Sequence, residues 1–194
     1  MAEMSLEQRQ YLTAKFKEFI AAVHSSHESN LPVRTPYQWQ IRLMLYVAEH
    51  GYWPRSIGAP TASGKTSVID IHVFLNAMAG LSLVEGNGLF DLPLRNIPRR
   101  LALTVNRRSL VDDQFDEACA LQDKMQIEHV ANDGLDVYRD GLKLRAAINK
   151  ANIQRSIQNR WMILSSFRPV PFTISFSIFP PLLIIVRLDA SLLL

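Results

Sequence analysis

The stretch Ala59 to Thr66 reads Ala-Pro-Thr-Ala-Ser-Gly-Lys-Thr and has the residue types and spacing of a phosphate-binding loop. In such a loop, successive backbone N–H groups surround a phosphate, and the loop ends at a helix N-terminus whose partial positive charge favours the anion. Lys65 would contact the β- and γ-phosphates, and the Thr66 hydroxyl would bind Mg²⁺. The predicted site consists of Ala59, Pro60, Thr61, Ala62, Ser63, Gly64, Lys65 and Thr66.

The pattern departs from the general motif at its first position, where Ala59 replaces the usual glycine. The alternative interpretation is a glycine-containing turn that precedes a helix and binds nothing. The mostly apolar helix predicted from Thr66 to near Gly80 favours the phosphate-binding interpretation, because the motif requires a helix at this point. The segment from Arg55 to Gly58 has a composition that is unfavourable for a strand, which weakens the phosphate-binding interpretation.

Gln40 is a second candidate and lies 25 residues before Lys65. Its carboxamide offers a donor and an acceptor together, which is what recognition of an adenine edge requires. Tyr37 or Trp39 could stack on the base. The alternative is an ordinary helix that begins at Pro36 and buries a tryptophan.

Arg107 and Arg108 form the third candidate site. They follow the apolar run from Leu101 to Val105, which predicts a short buried strand, and ligands bind at the C-terminal ends of strands in open α/β sheets. Two guanidinium groups there could bind the backbone phosphates of a nucleic acid. A solvated arginine pair on the surface is the alternative.

His24 and His27 are three residues apart and could bind a metal. No further cysteine, histidine or paired carboxylate stands nearby at a suitable spacing, so the sequence predicts a solvated loop here.

The elements that would position these residues follow from apolar periodicity. It predicts an amphipathic helix over residues 6–23, a helix begun at Pro36, the helix after Thr66, and a fourth helix with Ser109 as its N-cap and Asp112 completing a capping box. The predicted inner face of the fourth helix consists of Leu110, Val111, Phe115, Ala118, Leu121 and Met125. The order strand, loop, helix, repeated, predicts an α/β fold in which helices flank a parallel sheet.

Composition adds few constraints. The 194 residues suffice for one domain, or for one domain and part of another, and the net charge of +3 permits polyanionic partners without requiring them. The single cysteine argues against a disulfide framework and favours a reducing cytoplasm. Residues 1–10 contain no apolar stretch of the kind found in signal peptides.

Three segments together resemble the first RecA-like domain of superfamily 2 helicases: Pro-Tyr-Gln-Trp-Gln, the loop from Ala59, and Val-Asn-Arg-Arg-Ser-Leu-Val-Asp-Asp-Gln. The closest resemblance is to the helicase subunit of type I (subtype U) CRISPR interference systems, over about residues 16–125. It implies a partial P-loop NTPase domain that uses ATP and Mg²⁺. Gln40 would contact adenine, and Lys65 would act as a catalytic residue on the triphosphate. Arg107 and Arg108 would contact single-stranded DNA, and a CRISPR effector complex is an implied partner.

The chain departs from the family in one important respect. It contains no Asp-Glu-x-His string, which in the family supplies the Mg²⁺-linked carboxylate and the glutamate that orients water. We also expect no second RecA-like domain within these 194 residues, and therefore nucleotide binding with poor hydrolysis. A P-loop kinase and a non-enzymatic truncated remnant are the alternative functions.

The sequence divides into an N-terminal helix and loop (residues 1–35), an incomplete first RecA-like domain (36–160) and a hydrophobic tail (161–194). Residues 169–186 are uncharged, but four prolines between 169 and 181 argue against a membrane-spanning helix. We therefore expect no stable membrane association.

Overall fold

The structure, a computed structural model, describes residues 4–25, 34–59, 64–82, 93–101, 103–104, 108–126, 133–147 and 183–184. Within these ranges the chain forms the helices α1 (Leu6–Val23), α2 (Gln38–His50), α3 (Val68–Leu81), α4 (Arg108–Met125) and α5 (residues 136–147). Short 3-10 turns cover Lys65–Ser67 and Pro93–Asn96, and two short strands are β1 (Leu103–Thr104) and β2 (Leu183–Ile184).

Helix α1 has the bounds that the periodicity predicts. Its first turn is fixed by a capping box, in which the Gln8 amide donates to Ser5 Oγ at 3.2 Å and the Ser5 amide donates to Gln8 Oε1 at 2.9 Å. The predicted amphipathic character is confirmed, since the apolar residues at helical spacing are buried: Leu12, Phe16, Phe19, Ile20 and Val23.

Helix α3 lies at the centre of the core, and every residue from Ile69 to Gly80 is buried. Phe74 contacts three aromatic rings from other helices, with centroid distances of 5.1 Å to Phe16, 5.6 Å to Phe19 and 5.9 Å to Tyr138. A helix that is apolar on most sides requires neighbours on most sides. Helices α1, α2 and α5 supply them.

Helices α3 and α5 approach each other very closely at a pair of glycines. A Cβ atom built on Gly80 would lie 1.7 Å from the carbonyl oxygen of Gly141, and one built on Gly141 would lie 2.3 Å from the Ala77 oxygen. No side chain fits in this space, so the two glycines allow the helix backbones to touch.

The prediction of an α/β, RecA-like fold with a parallel sheet is wrong for the described residues, which are mainly helical. In the part of the chain that the structure describes, β1 and β2 pair antiparallel, with Leu103 opposite Ile184. The apolar run from Leu101 to Val105 predicts a buried extended segment. Periodicity does not identify the strand that pairs with it. The described helices bury their apolar faces against one another.

Helix α4 differs from its prediction in two ways. It begins at Arg108, so Ser109 lies inside the helix and is not its N-cap. Phe115, expected on the inner face, has an exposed fraction of 38%. Ala118, Leu121 and Met125 are buried as predicted, while the side chains of Leu110 and Val111 lie outside the described set.

None of the described helices has the length and apolarity that crossing a membrane requires. Apart from β2, residues 161–194 lie outside the described ranges, so the predicted hydrophobic tail stays a prediction.

Candidate functional site

Gly64 marks the point where the predicted phosphate-binding loop meets α3. Its backbone is left-handed, with φ 69° and ψ 45°, and its carbonyl accepts a hydrogen bond from the Ser67 amide at 3.2 Å. This bond opens the 3-10 turn Lys65–Ser67, which continues directly into α3. Lys65 is therefore at a helix start, as the motif requires, and it is exposed to solvent.

The start of a helix is suited to anion binding for a simple reason. Its first amides have no carbonyl partner within the helix, and the aligned peptide dipoles place partial positive charge at that end. The exposed Lys65 ammonium adds a full charge at the same place. Thr66 follows it, half-buried, in the same turn.

Gln40 lies against this turn. Its Nε2 donates to the Gly64 carbonyl oxygen at 3.1 Å, and its Oε1 accepts from the Tyr37 amide at 2.8 Å. The side chain is only 3% exposed, so both bonds form away from water, where an unmade bond would be costly. The structure thus joins two segments that the sequence singled out separately. The specific expectation that Gln40 contacts adenine stays a prediction.

Two features of the structure favour glycine at position 64. The left-handed backbone disfavours any residue with a Cβ atom. In addition, a Cβ atom there would lie 3.1 Å from Gln40 Nε2 and 3.4 Å from Tyr37 Cε2. The Tyr37 ring is therefore adjacent to the turn, and its exposed fraction of 52% leaves room for a stacked base.

Only some of the other predicted site residues fall within the described part of the chain. Ala59 is described and half-buried, but Pro60, Thr61, Ala62 and Ser63 lie outside the described residues, as does Arg107. Arg108 is the first residue of α4, and its side chain also lies outside the described set. The predicted DNA contacts of the arginine pair stay a prediction.

A polar network that the sequence did not predict lies behind the turn and joins Arg34, Ser67, His24 and Asp70. Arg34 contacts both Ser67 Oγ, at 3.5 Å from Nη2, and His24 Nδ1, at 3.1 Å from Nη1. His24 Nε2 lies 2.9 Å from Asp70 Oδ2 on α3. The solvated-loop prediction is wrong for His24, whose side chain is 16% exposed; His27 lies outside the described residues. The missed signal was Asp70, because a carboxylate within a mostly apolar helix needs a buried partner.

No family model, curated protein or solved structure matches this chain.

Proposed function

We propose that the chain binds ATP with Mg²⁺ at Gly64, Lys65 and Thr66. In this proposal it is the nucleotide-binding part of an ATP-dependent DNA helicase of CRISPR antiviral defence in the cytoplasm. The observation that carries this proposal is the hydrogen bond from Gln40 Nε2 to the Gly64 carbonyl. This bond connects the first turn of α2, which carries Gln40, to the Gly-Lys-Thr sequence at the start of α3. Superfamily 2 helicases bind the nucleotide with the two corresponding segments.

The turn supplies three kinds of contact to a triphosphate. The amides at the start of α3 would donate to phosphate oxygens, the Lys65 ammonium would contact the β- and γ-phosphates, and the Thr66 hydroxyl would complete the Mg²⁺ coordination. Lys65 is exposed and can reach a ligand that arrives from solvent. Tyr37, exposed beside Gly64, is placed to stack on the base.

The contact of Gln40 favours a helicase over a kinase. A phosphate-binding turn alone serves both classes, whereas a kinase that transfers phosphate to a small molecule has no need of a glutamine that connects a preceding helix to the turn. The absence of an Asp-Glu-x-His string in the sequence leads us to expect slow hydrolysis by this chain alone. Single-stranded DNA at Arg107 and Arg108, and a CRISPR effector complex, are the proposed partners.

Titration with a fluorescent ATP analogue in the presence of Mg²⁺ tests the nucleotide site. We expect saturable binding by the chain and an affinity at least about tenfold lower for Lys65→Ala, which corresponds to a loss of about 1.4 kcal/mol or more for a charge-assisted phosphate contact.

The matched control for this titration is Lys143→Ala on α5. Lys143 Nζ pairs with Asp140 Oδ1 at 3.1 Å, in an exposed i, i+3 pair that contributes little to stability. Its removal should leave the affinity for the analogue unchanged. Equal affinities for the parent chain and Lys65→Ala would overturn the proposed function.

A further inference from the structure

Three potential metal ligands from three different helices meet beside the network of Arg34. His24 caps the C-terminal end of α1, Asp70 lies on α3 and Glu117 lies on α4. One ligand atom from each of them lies within 4.8 Å of the other two. Asp70 is 1% exposed, and its Oδ1 is a buried oxygen with no hydrogen-bond partner among the described residues. We propose that His24, Asp70 and Glu117 bind a zinc ion.

The charges around Asp70 favour a cation there. Arg34 Nη1 can only donate, so His24 Nδ1 accepts at 3.1 Å, and His24 then carries its proton on Nε2 and donates it to Asp70 Oδ2 at 2.9 Å. In this arrangement the buried carboxylate faces a neutral imidazole, and its second oxygen has no donor among the described residues. Glu117 brings a second carboxylate to the same place. A divalent ion would compensate both carboxylates.

The donor set suits zinc. Zinc accepts one imidazole nitrogen and two carboxylate oxygens at about 2.0–2.2 Å, with a water molecule in the fourth position. Ligands at that distance in a tetrahedron are about 3.3–3.6 Å apart. His24 Nε2 and Asp70 Oδ2 lie 2.9 Å apart, so they must separate by about half an ångström to admit the ion. Glu117 is half-buried, and a change of its side-chain torsions would bring its carboxylate to the ion.

Zinc binding requires a change at His24. The ion takes the lone pair of Nε2, so the imidazole proton moves to Nδ1 and no proton is lost from the ring. Arg34 can then no longer donate to Nδ1. Because Arg34 is exposed, its guanidinium can turn into solvent. Arg34 and the metal therefore compete for His24, so removal of Arg34 should strengthen zinc binding.

This zinc site is separate from the proposed Mg²⁺ site and does not depend on it. Thr66 and Asp70 are different residues of the same helical segment, and the three zinc ligands include no residue of the Gly64–Thr66 turn. The site can therefore be tested without nucleotide, and its failure would leave the nucleotide proposal intact.

The test is titration of the EDTA-treated, desalted full chain with ZnCl₂ in competition with a chromophoric chelator, alongside Glu117→Gln and Asp116→Asn. We expect one equivalent of zinc to bind, about tenfold or more weaker binding by Glu117→Gln, and unchanged binding by Asp116→Asn, whose carboxylate is exposed on the neighbouring position of α4. Glu117→Gln preserves side-chain volume and leaves the His24–Asp70 hydrogen bond in place, so circular dichroism should show the parent helix content.

A second variant separates a metal site from a purely structural contact. Arg34→Ala removes the competing donor and a positive charge, so it should bind zinc several-fold more tightly. CoCl₂ should give visible absorption bands of a four-coordinate ion in the parent and lose them in Glu117→Gln. Zinc binding that is equally tight in the parent chain and Glu117→Gln, or no zinc binding by the folded parent chain, would overturn the proposal.

Discussion

Replacing Phe74 with alanine is expected to lower the free energy of unfolding by about 3–5 kcal/mol, as for other fully buried aromatic residues. Phe74 is wholly buried on α3, and its ring contacts Phe16 and Phe19 of α1 and Tyr138 of α5. Truncation removes the transfer free energy of the ring and leaves a cavity between three helices that cannot all close around it. Urea denaturation followed by circular dichroism at 222 nm measures the loss.

Phe115→Ala provides a control with identical chemistry. Phe115 is 38% exposed on α4, so its truncation should cost about 1 kcal/mol or less. If Phe74→Ala removes the unfolding transition altogether, Phe74→Leu should show a smaller, measurable loss. Similar losses for Phe74→Ala and Phe115→Ala would mean that the arrangement of α1, α3 and α5 around Phe74 is incorrect.

Acidification from pH 7.5 to pH 5 is expected to reduce stability by about 2 kcal/mol through His72 alone. Burial lowers the pKa of His72 to about 4 from its ordinary value of 6.5; its contact with the Arg99 carbonyl opposes this change, and the charge of Arg145 reinforces it. The unfolded chain therefore takes up a proton near pH 6.5, while the folded chain does so only near pH 4. The stability that neutral His72 contributes is complete above pH 6.5 and is lost between these values.

His72→Gln provides the comparison, because it cannot titrate in this range. Urea denaturation at several pH values measures the unfolding free energies of the variant and the parent. Between pH 7.5 and pH 5, the decline for the variant should be about 2 kcal/mol smaller than the decline for the parent. Identical slopes for the two proteins would show that His72 is solvated, in contrast to its burial beside Asn76 and the Arg99 carbonyl.

Helix bounds were largely predictable from this sequence, and tertiary partners were not. The spacing of Leu12, Phe16, Phe19 and Val23 determines one face of α1, and that face is buried. The same reasoning assigned Phe115 to an inner face, but period alone cannot show where that face ends. The parallel sheet was inferred from one short apolar run and the order of elements. The helices cover one another instead, and the described strands pair antiparallel.

The candidate site was predictable in part. The order Gly64-Lys65-Thr66 predicts a turn at a helix start, and the 3-10 turn that begins at Lys65 does continue into α3; phosphate binding there stays a prediction. The bond between Gln40 and Gly64 is a tertiary contact across 24 residues, which composition and spacing could not specify. The zinc ligands come from three helices, so no spacing rule could have brought Glu117 to His24 and Asp70.

The most direct test of the nucleotide site is a ¹H–¹⁵N NMR titration of the labelled chain with ATP and Mg²⁺. If the start of α3 binds the triphosphate, the amide resonances of Gly64, Lys65 and Thr66 should shift most, and the side-chain amide of Gln40 should shift with them because it is bonded to Gly64. The amides of α5, which lie outside the proposed site, should stay unchanged. Unshifted resonances for Gly64 to Thr66 at saturating ATP would contradict the proposal.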